Sequence, residues 1–184
     1  MPAHSYHHGD LRNALLAAAV EAIEQSGPAA LSLRELARRA GVSHAAPAHH
    51  FGDKAGLLTA LAAQGYDLLA DAVRAAGPDL LEAGVAYVRF AVGHRAHFTV
   101  MFQPGLYHPD DPELHAARAR SDQALSDALS ATVPAHREDR AFKLAAWAVV
   151  HGFAHLWNNG YVTGRPEDDP ETAARAVISK FLHA

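Results

Sequence analysis

The sequence of 184 residues contains no cysteine, which excludes disulfides, thiolate metal sites and a cysteine nucleophile. It has no apolar run long enough to cross a bilayer, and its first apolar stretch, LLAAAV, lies between charged residues rather than in a signal-peptide pattern. Aromatic residues make up only 8%, although 49% of the residues are hydrophobic, mainly alanine and leucine. We therefore predict a cytoplasmic protein, with no membrane partner, whose helices pack closely on small side chains.

The sequence also lacks an excess of positive charge. Its formal net charge is -4 at pH 7, and its pI is about 6.4. Residues 1–54 carry five basic and five acidic side chains, so the remainder holds the whole negative charge. Nucleic-acid-binding proteins usually gather positive charge against phosphates. The composition alone therefore does not indicate DNA binding.

Apolar residues recur at spacings of three and four along the whole chain, and no stretch has the alternation of a strand. This periodicity predicts an all-α fold. Glycine and proline residues separate the helical stretches. A bend is expected near Gly93 in the fifth helix. The expected helices span about 9–26, 32–40, 43–51, 53–76, 78–102, 113–134, 138–158 and 170–183.

The first three helices have the spacing of a helix-turn-helix, with the tight segment AGVS between the second and the third. Ser32 and Glu35 match a capping box, and Gly41 is expected to end the second helix. Ser43 is expected to cap the third helix, which makes Pro47 its fourth residue and removes one backbone hydrogen bond. The stretch GVSHAAPAHHF, at 41–51, contains no lysine or arginine, which is unusual for a DNA-reading helix.

Several sequence motifs, in both halves of the chain, resemble those of one protein family. LSLRELARRAGVS at 31–43, HF at 50–51 and DKAGLL at 53–58 resemble the N-terminal domain of tetracycline-repressor-like (TetR family) transcriptional regulators. YVRFAVGHRAHFTVMF at 87–102 and WAVVHGFAHLW at 147–157 resemble a subgroup with a Trp-His-Gly signature in the ligand domain. The resemblance implies two domains. A DNA-binding helix-turn-helix domain would occupy 1–52, and a ligand-binding and dimerisation domain 53–184.

The resemblance further implies a homodimer that binds a pseudo-palindromic, double-stranded operator, represses transcription, and leaves the DNA when a small effector binds. Carried over residue by residue, it assigns DNA contacts to eight positions. They are Ser32, Arg34, Ser43, His44, Ala45, His49, His50 and Lys54. His44 and His49 can gain protons beside phosphate, so we expect binding to tighten as the pH falls toward about 6, whereas His50 can equally be a histidine bonded within the head.

Two positions depart from the family pattern. Ala48 stands where many members carry a tyrosine that reaches the DNA backbone, and Pro47 replaces a leucine-like residue. We therefore expect modest operator affinity and a shallow salt dependence, with fewer than about eight phosphate contacts per dimer.

The second half contains two helical segments rich in aromatic and histidine residues. Such residues can form a core, or they can line a cavity for a small, largely apolar ligand with one polar group. The candidate ligand-binding residues are Tyr87, Phe90, His94, Phe98, Met101, Phe102, Trp147, His151 and His155. No cofactor is implied.

The last two helices are expected to form the dimer interface, because the first of them carries small residues that let helices approach closely and the second has an apolar face. The residues concerned are Ala145, Ala146, Ala148, Val149, Gly152, Ala173, Ala174, Ala176, Val177 and Phe181.

Three other functions are compatible with parts of the sequence. A metal-responsive regulator could use the histidine pairs 94/97 and 151/155, with Asp110, Asp111 or Glu113 as oxygen ligands. A helical carrier would bind a small molecule without DNA. An enzyme could pair His151 with Asp168, but the sequence has no nucleophile elbow, phosphate loop or metalloprotease helix. Core histidines are commoner than metal ligands, and the enzyme motifs are missing, so we predict a protein that is not an enzyme and holds no metal.

Overall fold

The structure is a computed structural model, and it describes residues 8–133, 135, 138–162 and 169–183. This part of the chain is all-α, as predicted, and contains no strand. None of its helices is both long and apolar enough to cross a membrane. The α-helices are α1 (His8–Ser26), α2 (Leu33–Arg39), α3 (Ala46–Phe51), α4 (Lys54–Ala75), α5 (Leu80–Gly93), α6 (Arg95–Met101), α7 (Pro112–Thr132), α8 (Arg140–Asn158) and α9 (Pro170–Leu182).

The chain divides into two compact units. The first unit contains the residues up to 64 together with 96–115, and the second contains 65–95 together with the residues from 116 onward. In the first unit, α1 packs on α2 and α2 packs on α3. Leu15, Leu16 and Leu36 are almost fully buried there, because the three-and-four spacing gives α1 and α2 an apolar face each. We call α1–α3 the head.

The end of α2 confirms the role predicted for Gly41. Gly41 has a φ of 66°, its N–H donates to the carbonyl of Arg38, and the Val42 N–H donates to the carbonyl of Ala37 at 3.0 Å. These two bonds form a Schellman motif, which closes the helix and turns the chain sharply.

Both serine caps predicted for the head are wrong. Ser32 occupies the N-cap position of α2, but its side chain makes no capping hydrogen bond, and the Glu35 carboxylate pairs with arginines rather than with the helix start. Ser43 lies too early in the chain to cap α3, whose N-cap is Ala45. Ser43 contributes its backbone carbonyl, which accepts from the Ala46 N–H at 3.0 Å.

The later start of α3 also corrects the position of Pro47. Pro47 is the second residue of α3 rather than the fourth. In the first turn a backbone N–H has no partner within the helix, so the proline removes no hydrogen bond. Its ring is buried instead. The proline therefore fits α3 without the cost expected from the sequence.

The second unit is built around α5, which packs on α8 and α9. Gly84 lies at a close approach of these helices, since a Cβ atom there would lie 2.9 Å from Ile178 Cδ1 and 3.2 Å from Val150 Cγ1. Aspartates cap all three helices: Asp79 begins α5, Asp139 begins α8 and Asp169 begins α9.

The bend predicted near Gly93 is a complete break. His94 has φ and ψ of -123° and 51°, which lie outside the helical region, so α5 ends before it and α6 begins after it. Carbonyl groups at a helix end need new partners. The Asn158 amide supplies one by donating to the carbonyl of Ala91 at 2.9 Å.

Candidate nucleic-acid interface

The residues predicted to contact DNA lie on the surface of the first unit. Six of the eight are exposed, and two are partly buried, His50 and Lys54. The buried side of the turn and of α3 is provided by other residues, chiefly Pro47, while Ala48 is exposed beside it. The head therefore presents most of the predicted contact residues to solvent.

Part of this surface is a concavity of about 470 Å³ between the start of α2 and the turn before α3. Three of the predicted contact residues line it: Ser32, Arg34 and His44. Glu35 and Arg38, neither of which was predicted to contact DNA, complete the lining. A hydroxyl, a guanidinium and an imidazole converge there, which are groups that bind phosphates and base edges.

The arginines around the concavity differ in their pairing. The exposed Arg34 has no carboxylate partner in the described part of the chain. Arg38 donates to both carboxylate oxygens of Glu35, through Nε at 2.8 Å and Nη2 at 2.6 Å. Arg39 Nε donates to Glu35 Oε1 at 3.1 Å. Their hydrogen bonds lower the pKa of Glu35 to about 2, so the carboxylate stays charged at neutral pH.

Lys54 lies in the first turn of α4. Its ammonium group donates to the backbone carbonyl of Ala29 at 2.8 Å and so ties α4 to the loop between α1 and α2. Lysine has two further N–H donors, which leaves capacity for a phosphate. Lys54 therefore has a structural role within the first unit that the sequence did not indicate.

The aromatic groups of α3 form a continuous series. The rings of His49 and His50 meet edge to face with centroids 5.7 Å apart, and His50 lies 6.2 Å from the ring of Phe51. The guanidinium of Arg12 lies over the Phe51 ring at 5.5 Å. His50 is thus partly buried between its neighbours in α3, whereas His49 is exposed.

The junction between α3 and α4 is set by close backbone contact. A Cβ atom at position 56 would lie only 1.9 Å from the carbonyl oxygen of Phe51, so Gly56 allows the two helices to meet. Asp53 Oδ1 accepts from the Gly56 N–H at 2.7 Å. This bond is the main reason that the pKa of Asp53 is lowered, and His108 Nε2, 3.4 Å from the carboxylate, adds to it.

Thr59 connects the same helix to the loop before α7. Its hydroxyl donates to the Ala55 carbonyl at 2.8 Å and accepts from the His108 N–H at 3.0 Å. The first two turns of α4 thus hold both the head, through Lys54, and the segment around His108.

In the second unit, three of the predicted ligand-binding residues meet. The indole N–H of Trp147 donates to the Tyr87 hydroxyl at 3.3 Å, and that hydroxyl lies 3.0 Å from His151 Nδ1. The Trp147 and His151 rings lie 5.2 Å apart, with 37° between their planes. Since the hydroxyl accepts from the indole, its own hydrogen can be donated to Nδ1, which requires an unprotonated nitrogen there.

Burial affects both titrating groups of this network. It raises the pKa of the Tyr87 phenol, so the hydroxyl keeps its proton. It also lowers the pKa of His151, with a smaller contribution from the nearby His155. The histidine is therefore held neutral, which is consistent with accepting the tyrosine proton.

The remaining ligand candidates are dispersed. Phe90 is buried in the second unit, and its ring lies 5.2 Å from that of His94, which is exposed. His155 is also exposed. In the first unit, Met101 is buried and Phe98 packs against Phe102 at 5.1 Å.

The first unit also holds a buried polar residue that was not among the predicted ligand-binding residues. His97 is 5% exposed, and its Nε2 lies 3.1 Å from Gln64 Oε1. The spacing of three residues between His94 and His97 had indicated only that both could bind one metal ion.

Within the described ranges, no three His, Asp or Glu side chains are placed to hold a metal ion. Asp111, one of the suggested oxygen ligands, accepts from the Leu114 N–H and caps α7. Asp168, considered for an enzymatic pair with His151, lies outside the described residues.

The sequence and the fold are similar to those of known regulatory proteins. Residues 80–181 match the tetracyclin repressor-like C-terminal domain, and residues 15–61 match the bacterial regulatory proteins of the tetR family. A protein of unknown function from a Rhodococcus species is 33% identical over 97% of this chain and 98% of its own, with a TM-score of 0.77. The TetR family regulator PfmR from Thermus thermophilus has the same fold, with 22% identity, coverage of 92% and 97%, and a TM-score of 0.71.

The helix-turn-helix regulator BetI from Ectopseudomonas mendocina is 49% identical over 49 residues, which are 27% of this chain. That match spans about a quarter (25%) of the BetI chain. The fold and the head define a helix-turn-helix regulatory protein. The two domain matches extend over more than half of the sequence, and the chain belongs to the tetR family of bacterial regulatory proteins. It is a regulator rather than an enzyme.

Proposed function

We propose that this chain binds a double-stranded operator through its head, in residues 1–52, and represses transcription from it. The concavity that brings Ser32, Arg34 and His44 together on an exposed surface supports this most directly. On operator DNA, Arg34 and Ser32 would hold phosphates. His44 and Ala45, at the turn before α3, would approach the base edges. Ser43, His49, His50 and Lys54 would complete the contact surface, and a protein acting on chromosomal DNA would work in the cytoplasm.

The rest of the chain, residues 53–184, would dimerise and bind the effector, a small and largely apolar molecule that releases the operator. Members of the Trp-His-Gly subgroup carry a tryptophan, histidine and glycine, which correspond here to Trp147, His151 and Gly152. The hydrogen-bonded group formed by Trp147, Tyr87 and His151 supports an effector with one polar function, because such a group can exchange one of its bonds for the ligand.

DNA binding can be tested by gel shift with DNA from the region upstream of the protein's own gene. We expect the wild-type protein to bind, and His44→Ala to weaken binding about fivefold for each protomer, since a base contact is worth about 1 kcal/mol or more. His183→Ala is the matched control, because His183 is exposed at the end of α9, where its ring bonds to the Ser179 carbonyl. Failure of the wild-type protein to bind any DNA at low salt would refute the proposal and favour a small-molecule carrier.

A further inference from the structure

We infer that Arg38 is an additional phosphate contact, and that Glu35 holds its guanidinium in place until DNA takes it over. This inference rests on the proposed DNA-binding function. It adds a residue that neither the family resemblance nor the sequence pattern assigned to DNA, and it gives Glu35 a role in controlling the charge of the surface.

The position of Arg38 supports a contact. Arg38 lines the same concavity as Arg34 and His44, and its side chain is 69% exposed. Residues 1–54 carry equal numbers of basic and acidic side chains, so this surface has few cations to offer to phosphates. A guanidinium beside Arg34 would double the arginine charge at the concavity, which is where the DNA backbone would pass.

The pairing of Arg38 allows an exchange. Its bidentate bond to Glu35 uses the same fork of N–H donors that would bind a phosphate, so the two partners compete for one guanidinium. Exposed ion pairs of this kind contribute little stability in water, and a phosphate can therefore replace the carboxylate.

Arg39 makes the exchange easier. Glu35 Oε1 also accepts from Arg39 Nε at 3.1 Å, while Arg39 Nη1 donates to Gln25 Oε1 of α1 at 3.0 Å. When Arg38 turns to DNA, Glu35 keeps a cationic partner that α1 already holds. In the free protein, Glu35 neutralises charge at the surface and so reduces non-specific attraction to DNA.

The alternative is that the Glu35–Arg38 pair only stabilises α2, as pairs three residues apart commonly do. The two roles predict different measurements. A helix-stabilising pair would change the melting temperature and leave the salt dependence of DNA binding unchanged, whereas a phosphate contact would change the salt dependence.

The experiment measures the operator Kd of the full-length protein between about 50 and 200 mM salt for wild type, Arg38→Ala and Arg38→Lys. Each lost phosphate contact reduces the slope of log K against log salt by about 0.9. In a dimer that loses two contacts, the ratio of Kd at the higher salt to Kd at the lower salt should therefore fall roughly tenfold in Arg38→Ala. Arg38→Lys keeps the charge and should retain the wild-type slope. An unchanged slope in Arg38→Ala would overturn the inference.

A second comparison makes the arginine substitutions in the Glu35→Gln background. There the ion pairs of Arg38 and Arg39 with Glu35 are removed, and the two double variants have the same net charge. Glu35→Gln alone should tighten operator binding at low salt, and adding Arg38→Ala should remove the gain. Adding Arg39→Ala should not lower the slope, since Arg39 does not line the concavity. Equal losses of slope from the two substitutions, or weaker binding by Glu35→Gln with unchanged helicity, would contradict the inference.

The outcomes separate this inference from the proposed function. If wild type fails to bind DNA at low salt, the proposed function is wrong. If wild type binds and the Arg38 variants share its slope, the operator function stands and only the role of Arg38 is refuted.

Discussion

Gly56 shows how one residue fixes the geometry of the head. The first turn of α4 passes so close to the end of α3 that a Cβ atom would meet the Phe51 carbonyl at 1.9 Å. A backbone carbonyl cannot move aside as the end of a flexible side chain can. The glycine is therefore required by the approach of the two backbones.

We predict that Gly56→Ala lowers the free energy of unfolding by about 1–3 kcal/mol, the usual cost of overpacking a close contact. Thermal or urea unfolding followed by circular dichroism measures it. Gly93→Ala is the matched control, because a Cβ atom there meets nothing within 4 Å and alanine favours the helix. An equal loss of stability in both variants would contradict the prediction.

At the residue scale, the sequence indicated which side chains of the head to expect at DNA but not how these side chains pair within the protein. Ser32, Arg34 and His44 were identified through the family resemblance, and the structure places them on one surface. Glu35 was assigned to a capping box, a motif in which its carboxylate faces the helix start. The carboxylate pairs with arginines three and four residues later, because a guanidinium is a stronger partner than a backbone N–H.

At the scale of elements, α5 and α8 are joined by the hydrogen bonds of Tyr87, Trp147 and His151. Because burial lowers the pKa of His151 in the folded protein, the unfolded chain binds more protons as the pH falls below the ordinary histidine value of about 6.5. The stability contributed by the neutral histidine is present above that value and is lost as the pH falls below it.

We therefore predict that the free energy of unfolding of the wild-type protein decreases between about pH 6.5 and 5, and that His151→Asn flattens part of this decrease. The asparagine carbonyl can still accept from Tyr87, so the packing is retained. The difference should be less than about 1 kcal/mol per pH unit, because His151 is partly exposed and screened by solvent. Urea unfolding at several pH values measures it, and parallel pH profiles for the two proteins would contradict the assignment.

The helices themselves were largely predictable, since their apolar periodicity is strong and glycine or proline separates them. Their ends were less so. The sequence predicted one bent helix near Gly93, whereas the chain breaks at His94, where Asn158 supplies a hydrogen bond to the freed carbonyl of Ala91. That partner lies 67 residues away in the sequence, so no local pattern could reveal it.

At the scale of the whole molecule, the exposed side of α8 is apolar. Leu144 is 59% exposed and Trp147 41%, while Ala145 and Ala148 leave the backbone accessible between them. A helix face of this kind is suited to close packing against its own copy, and the dimer interface expected from the sequence stays a prediction.

We predict that Leu144→Glu converts the proposed dimer to a monomer, because it would bury a carboxylate of each protomer in an apolar interface. Analytical ultracentrifugation measures the mass, and operator affinity should fall by about a hundredfold or more, since one head reads only half of a palindromic site. Ala116→Glu, at an exposed position of α7, adds the same charge elsewhere and should remain dimeric. A dimeric Leu144→Glu variant would move the interface to another surface.

The hydrogen bonds of the first two turns of α4 have a consequence for exchange with solvent. Lys54 is bonded to the Ala29 carbonyl, and Thr59 to the His108 N–H, so these turns cannot open without releasing both neighbours. Amide hydrogens bonded to this segment, at Gly56, Leu57 and His108, share one opening event. In deuterated water they should therefore exchange at a common free energy of opening, and the head and the segment around His108 form one cooperative unit.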